Sequence, residues 1–112
     1  MVDPNELFSL LSDNTRLRCL ILLQKKGKLC VCELCEVLDC IQPKISRHIA
    51  LMRKSGLVSH ERKGQWVYYS LHPQLPDWVK SIIQSIYNNL FEQSPYCSDL
   101  QKLAQLEDRE IC

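Results

Sequence analysis

Three cysteines lie within six consecutive residues, Cys30-Val-Cys32-Glu-Leu-Cys35, and they are the residues of this sequence best suited to chemistry. Thiolates are soft ligands that select soft metal ions. A structural zinc site usually needs four ligands, commonly in two spaced pairs, whereas only one Cys-x-x-Cys pair is present here. Three thiolates without an obvious fourth ligand suit a three-coordinate soft ion such as As(III) or Sb(III). The sequence therefore predicts a metalloid site formed by Cys30, Cys32 and Cys35.

The spacing of these cysteines also predicts a conflict between ion binding and helix geometry. Residues 30–38 are expected to form a short helix, on which Cys32 and Cys35 are neighbours across one turn. Cys30 then lies about 200° from Cys32, on the opposite side of the helix. All three sulfurs can meet on one ion only if the first turn unwinds or bends. This turn belongs to the first helix of a predicted DNA-reading helix pair, so bound ion and bound DNA should oppose each other, with a coupling free energy of about 1–3 kcal/mol.

Other interpretations of the cysteines stay open at this stage. The cluster could consist of small buried side chains, or Cys32 and Cys35 could form a redox pair, although thioredoxin-like pairs follow a strand in a βαβ unit. Of the remaining cysteines, we expect Cys19 in the core and Cys40 in a turn. Cys97 and Cys112 are expected in the polar tail, where their roles are undecided.

Helical spacing and turn residues predict a helix-turn-helix that includes the cysteine cluster. Two helices come first, the earlier one opened by Asp3-Pro4 and the later one closed by Gly27. The third carries the cysteines, and the fourth begins near Gln42-Pro43 and stops at Gly56. Two short helices joined by a tight turn are typical of DNA-binding proteins.

A β-hairpin and a fifth helix follow. Residues 57–62 and 65–71 are rich in β-branched and aromatic side chains and flank Lys63-Gly64. The helix at about residues 77–91 has a wide apolar stripe, and a two-fold dimer is the simplest way to cover its second flank. The predicted fold is mainly α with a β-hairpin wing, a homodimeric winged helix-turn-helix of four helices, two strands and a fifth helix. We expect residues 1–92 to form this DNA-binding and dimerisation domain, and residues 93–112 to form a tail that is either a short helix or disordered.

Basic side chains in the middle of the chain suit a polyanionic partner. The net charge is only +1, yet residues 44–63 hold six lysines and arginines against one acid. A helix-turn-helix places the start of its second helix in the major groove, and the hairpin contacts the backbone or the minor groove. Glutamine suits adenine, and arginine or lysine suits guanine or phosphate. The predicted contacts with double-stranded DNA are Gln42, Lys44, Ser46, Arg47 and His48 on the fourth helix, and Arg62, Lys63 and Gln65 around the hairpin turn.

Composition disfavours several other classes of protein. The 112 residues, 46% hydrophobic and 24% charged, fit one soluble domain. No apolar run approaches the roughly 20 residues of a membrane span, and the first residues lack a signal-peptide pattern. With seven cysteines, an odd number, we expect reduced thiols and a cytoplasmic location. No glycine-rich loop surrounds a cysteine, so we predict neither enzymatic activity nor an organic cofactor.

Three stretches resemble the ArsR/SmtB family of metal-responsive repressors: residues 29–35, 42–48 and 64–68. The similarity runs from about residue 5 to residue 92, and its cysteine box and recognition helix are specific. The resemblance implies a homodimer that holds a palindromic operator until As(III) or Sb(III) engages Cys30, Cys32 and Cys35, of which the first two are the minimum. It also implies an interface between the first and fifth helices of two copies, formed by Leu7, Leu11, Trp78, Ile82, Ile83, Ile86 and Leu90.

Two departures from the family pattern favour a metalloid. Family members that sense Cd(II) or Pb(II) have a cysteine near the N-terminus, and none precedes Cys19 here. Zinc sensors carry Asp and His ligands on the fifth helix, where this chain has Asp77 but no histidine. The alternatives are a redox-responsive or Cd/Pb/Zn-responsive repressor of the same fold and, less favoured, a small thiol-dependent arsenical reductase.

Overall fold

The structure is a computed structural model that describes residues 2–107. The predicted winged helix-turn-helix is confirmed, and the chain is mainly helical with a small antiparallel sheet. The two-residue strand β1 was not predicted. In chain order the elements are α1 Pro4–Leu11, α2 Asn14–Lys26, β1 Leu29–Cys30, α3 Val31–Leu38, α4 Gln42–Lys54, β2 Val58–Lys63, β3 Trp66–Leu71, α5 Asp77–Leu90 and α6 Tyr96–Glu107.

Local signals set the ends of the first helices. The Asp3 carboxylate accepts a hydrogen bond from the Glu6 backbone N–H at 3.1 Å, which caps α1 as predicted. Asp13 caps α2 in the same way through the Arg16 N–H at 3.0 Å. Gly27 ends α2 with a φ of 93°, a value that side chains with a Cβ disfavour. These caps fix where the helix-turn-helix begins.

The sheet connects the cysteine region to the wing. Strand β3 lies between β1 and β2, and both pairings are antiparallel. Cys30 is the partner of Tyr68 in the β1–β3 ladder. The β2–β3 hairpin closes at Lys63 and Trp66, and Gly64 adopts a φ of 64° in its two-residue turn. Cys30 is therefore linked to the wing through the β1–β3 ladder.

Helix α6 packs on the helices that carry the candidate site. It lies within the expected tail, of which residues 108–112 are outside the described residues, and it contacts α2 and α3. Arg18 donates from Nε and Nη2 to the two carboxylate oxygens of Asp99, both at 2.8 Å. Asp99 is only 2% exposed, and Leu103 and Leu106 are buried beside it. This bidentate pair and the two leucines anchor α6 to the core.

The residues predicted at the dimer interface divide into three groups by exposure. Leu7 and Ile83 are buried in the core of their own protomer, whereas Trp78 is 41% exposed. The others are half-buried: Leu11, Ile82, Ile86 and Leu90. The exposed Phe8 and Phe91 lie on α1 and immediately after α5, and sequence reasoning did not select them. An apolar surface on α1 and α5 is thus uncovered in the single chain.

Among the described residues, no helix combines the length and the apolar character that a bilayer span requires.

Candidate functional site

Cys30 and Cys32 lie together at the start of α3. Their sulfur atoms are 2.8 Å apart. The prediction that Cys30 lies within the helix, opposite Cys32, is wrong, because Cys30 belongs to β1 and has the extended backbone of an N-cap residue, with φ −88° and ψ 166°. The Glu33 carboxylate accepts a hydrogen bond from the Cys30 N–H at 3.0 Å and so fixes this geometry.

The two sulfurs are near enough for one soft ion to bind both. With metal–thiolate bonds of about 2.3 Å, two sulfurs on one tetrahedral ion lie about 3.8 Å apart. From the observed 2.8 Å, binding both to one ion requires the sulfurs to separate slightly and does not require α3 to unwind. Cys30 is buried and Cys32 is half-buried, so an ion bound between them is partly shielded from water.

Cys35 faces a different part of the molecule. It is half-buried and lines a cleft of about 380 Å³ between α3 and α6, together with Glu36 and Lys102. Burial, with a smaller contribution from Cys40, raises the pKa of the Cys35 thiol above its ordinary value. Within residues 2–107, no three His, Cys, Asp or Glu side chains come together in a metal-binding cluster. The structure therefore brings together two of the three predicted ligands.

The other cysteines occupy separate environments. Cys19 is fully buried in the core, as predicted, and burial raises the pKa of its thiol to about 12. Cys40 is half-buried in the turn after α3, where Asp39 takes a left-handed φ of 53°. Cys97 is half-buried near the start of α6, and Cys112 is outside the described residues.

The Cys30–Cys32 pair opens onto a cleft shared with the predicted DNA-contacting elements. This cleft, of about 370 Å³, lies where the start of α3, the first turns of α4 and the wing meet. We call it the thiol cleft; its lining residues are Cys30, Val31, Cys32, Gln42, Ser46, Trp66, Val67 and Tyr69. An ion on the thiol pair is thus enclosed by the same cleft as two residues predicted to contact DNA.

Most of the predicted DNA contacts lie on exposed surface. Gln42, Lys44 and Arg47 are exposed on α4, and Ser46 is half-buried toward the thiol cleft. Those on the wing are all exposed: Arg62, Lys63 and Gln65. Sequence reasoning missed Ile41, which precedes α4 and is 70% exposed. The sequence signal for its exposed position was that it directly precedes a helix that begins with Gln42-Pro43.

His48 is placed inward instead. Its side chain is 12% exposed, and its Nε2 atom is 3.8 Å from an Asp13 carboxylate oxygen. Its Nδ1 atom is 3.2 Å from Nη1 of Arg16. Burial lowers the pKa of His48, and the Asp13 charge opposes that shift. The spacing of three residues from the buried Ile45 signals this inward face, so His48 joins α4 to α2.

The chain is similar in sequence to known bacterial regulators. The family model described as bacterial regulatory protein, arsR family, matches residues 13–60, which span α2 to the start of β2. The arsenic resistance transcriptional regulator ArsR1 of Pseudomonas putida is 41% identical over 97% of this chain and 84% of its own. The arsenical resistance operon repressor of Escherichia coli is 50% identical over 75% of this chain and 72% of its own.

The fold is also found in solved structures. HlyU from Vibrio cholerae superimposes with a TM-score of 0.68 at 29% identity, over 78% of this chain and 90% of that chain. The thiol pair, the exposed helix α4 and the wing thus occur on the architecture expected for a DNA-binding regulator. Together with the identity to full-length relatives, this establishes that the chain belongs to the ArsR family of bacterial transcriptional regulators.

Proposed function

We propose that this protein is an arsenic-responsive transcriptional repressor that binds operator DNA as a dimer and releases it when As(III) or Sb(III) binds Cys30 and Cys32. The observation that carries the proposal is the 2.8 Å separation of the two sulfurs inside the thiol cleft, whose other walls include Gln42 and Ser46. The names of two relatives, an arsenic resistance regulator and an arsenical resistance operon repressor, support the choice of ligand.

Cys30 and Cys32 are the primary ligands in this proposal. Their thiolates are soft, and their sulfurs need no large backbone movement to meet on one ion. Cys35 joins as a third ligand only if α3 turns or unwinds, because its side chain lines the cleft on the α6 side. The raised pKa of Cys35 adds a second cost, since a ligating thiol must lose its proton.

Ion binding in the thiol cleft changes both surfaces that hold DNA. Because the sulfurs separate slightly when both bind one ion, Cys30 shifts strand β1, which is paired with β3 of the wing. The matching shift of Cys32 acts on the start of α3, which packs on α4. The ion also lies beside the base-reading end of α4. A coupling free energy of about 1–3 kcal/mol between metalloid and operator corresponds to a change of roughly 5- to 150-fold in DNA affinity.

The DNA contacts follow from the exposed side chains of α4 and the wing. Gln42, Lys44 and Arg47 enter the major groove, while Arg62 and Lys63 neutralise phosphates. His48 supports α4 from behind through its contact with Arg16.

The dimer in this proposal buries the apolar surface of α1 and α5. Phe8 is 57% exposed, and Trp78 and Phe91 are exposed as well. A two-fold axis through this surface presents two copies of α4 to half-sites about 34–36 Å apart, which is one turn of DNA. We place the repressor in the cytoplasm, where its thiols stay reduced.

Fluorescence anisotropy of labelled promoter DNA tests the proposal. Arsenite should raise the Kd of the wild-type complex, and Cys32→Ser should bind DNA normally but lose this response. Cys97→Ser is the matched control, because it removes a half-buried thiol from α6, and it should respond as the wild type does. Release by peroxide but not by arsenite would point to oxidant sensing. Release of Cys30→Ser/Cys32→Ser by arsenite would exclude the thiol pair as the sensor.

A further inference from the structure

Ile41 combines unusual exposure with a specific position. It is 70% exposed, more than any other large hydrophobic residue in the described part of the chain. Its φ of −72° and ψ of 150° make it the N-cap of α4, yet it forms no side-chain capping hydrogen bond. Ser, Thr, Asp or Asn would satisfy a backbone N–H at this position. The isoleucine side chain therefore makes no capping hydrogen bond and leaves apolar surface in water.

The surroundings of Ile41 are polar and basic. Gln42 and Lys44 follow it on exposed surface, and Arg47 lies one turn further along α4. These cations suit DNA rather than an apolar protein surface. In a helix-turn-helix, the N-terminal residues of this helix approach the base edges most closely. An apolar side chain at that point needs an apolar partner within the groove.

We propose that Ile41 contacts the 5-methyl group of a thymine in the major groove of the operator and so contributes to sequence specificity. This inference rests on the proposed binding of operator DNA. The thymine methyl is the apolar group in the major-groove code, and apolar side chains recognise it. A hydrocarbon side chain cannot hydrogen-bond to phosphate, so a contact with the DNA backbone offers it little. Burial of both groups removes apolar surface from water.

Uracil substitution in the operator tests this contact at the level of one methyl group. The operator is first located by footprinting of promoter DNA, and each of its thymines is then replaced in turn by uracil, which keeps base pairing and removes the methyl. For the wild type, one symmetric pair of replacements should weaken binding about 4-fold per half-site, the equivalent of about 0.8 kcal/mol for a buried methyl-sized group. Ile41→Ala should weaken binding to the thymine operator by a similar factor and be insensitive to uracil at that pair.

Leu51→Ala provides the matched control. Leu51 is also an exposed aliphatic residue of α4, near the opposite end of the helix. This variant should keep the wild-type response to uracil, and circular dichroism verifies that both variants are folded. The inference would be overturned if replacing thymine by uracil at every position left wild-type affinity unchanged. It would also be overturned if Ile41→Ala lowered affinity by the same factor on the thymine operator and on the uracil operator. Absence of any footprint would instead overturn the proposed function itself.

Discussion

Cys30 pairs with Tyr68 across the β1–β3 ladder, so a residue that lines the thiol cleft is also part of the sheet that forms the wing. The same residue precedes α3, which packs on α4. One thiol thus lies where the two elements with predicted DNA contacts join the core. A small displacement there can reach both elements without passing through the rest of the domain.

Trp66 should report ion binding directly. It lines the thiol cleft, whereas Trp78 lies on α5. In Trp78→Phe, the remaining indole should change its emission when arsenite is added, and Cys30→Ser/Cys32→Ser in that background should abolish the change. Trp66→Phe, which retains Trp78, should give no comparable change in emission, provided that the protein concentration is one at which arsenite does not alter the oligomeric state. An unchanged emission of Trp66 would mean that the ion binds elsewhere.

Cys35 should be dispensable for release of DNA. Because it faces α6, Cys35→Ser should still release the operator on adding arsenite, while Cys30→Ser and Cys32→Ser should not. X-ray absorption gives the number of sulfurs bound to arsenic in each variant. Loss of release in Cys35→Ser would contradict the two-thiol mechanism.

The Arg18–Asp99 pair should contribute strongly to stability. Asp99→Asn leaves a charged guanidinium against a buried neutral group, and we expect the free energy of unfolding to fall by about 3 kcal/mol. This is the lower end of the range for buried pairs, because Arg18 stays 20% exposed. Urea denaturation measures the change. Lys28→Ala, which removes the exposed pair with Glu61, should leave the midpoint nearly unchanged. Equal effects of the two variants would argue that α6 is not anchored through Asp99.

Stability should decline in mildly acidic solution because of His48. Burial lowers the pKa of His48 in the folded protein below its value of about 6.5 in the unfolded chain. The unfolded chain therefore binds a proton first as the pH falls, and stability is lost from about pH 6.5 downward. Urea unfolding at pH 7.5 and 5.5 should show a smaller loss for His48→Asn than for the wild type. Identical losses would place the responsible group elsewhere.

Phe8 and Trp78 should control dimer formation. A glutamate at either position puts a charge into the proposed apolar interface, so Phe8→Glu should shift sedimentation toward the monomer and weaken operator binding. Leu51→Glu places the same charge on an exposed apolar residue of α4 and should leave the dimer intact. A dimeric Phe8→Glu would show that the interface uses a different surface.

Short-range signals made the order of the elements predictable. The Asp3 cap, the Gly27 stop and the Gly64 turn each depend on a few neighbouring residues, and each is confirmed. The position of Cys30 was only partly predictable in this way. Its extended backbone is held by Glu33, three residues later, which is a local signal, and by pairing with Tyr68, thirty-eight residues later in the chain. Helical periodicity contains no information about that pairing.

The direction in which side chains face was harder to predict than the elements that carry them. His48 belongs to the polar-looking part of α4, but its contacts with Asp13 and Arg16 hold it inward. Leu7 was expected at the interface, yet it fills the protomer core, while its neighbour Phe8 is exposed. Such assignments depend on how α2 packs against α1 and α4, which a single helix pattern does not specify.

The shared walls of the thiol cleft imply reciprocity between the two proposed ligands, metalloid and operator. By thermodynamic linkage, an operator that is weakened by bound metalloid must weaken the metalloid by the same factor. Copies seated on DNA would therefore need a higher arsenite concentration for half-saturation than copies free in solution. The arsenite concentration that releases the operator would then depend on the number of repressor copies per operator as well as on the affinity of the thiols for the metalloid.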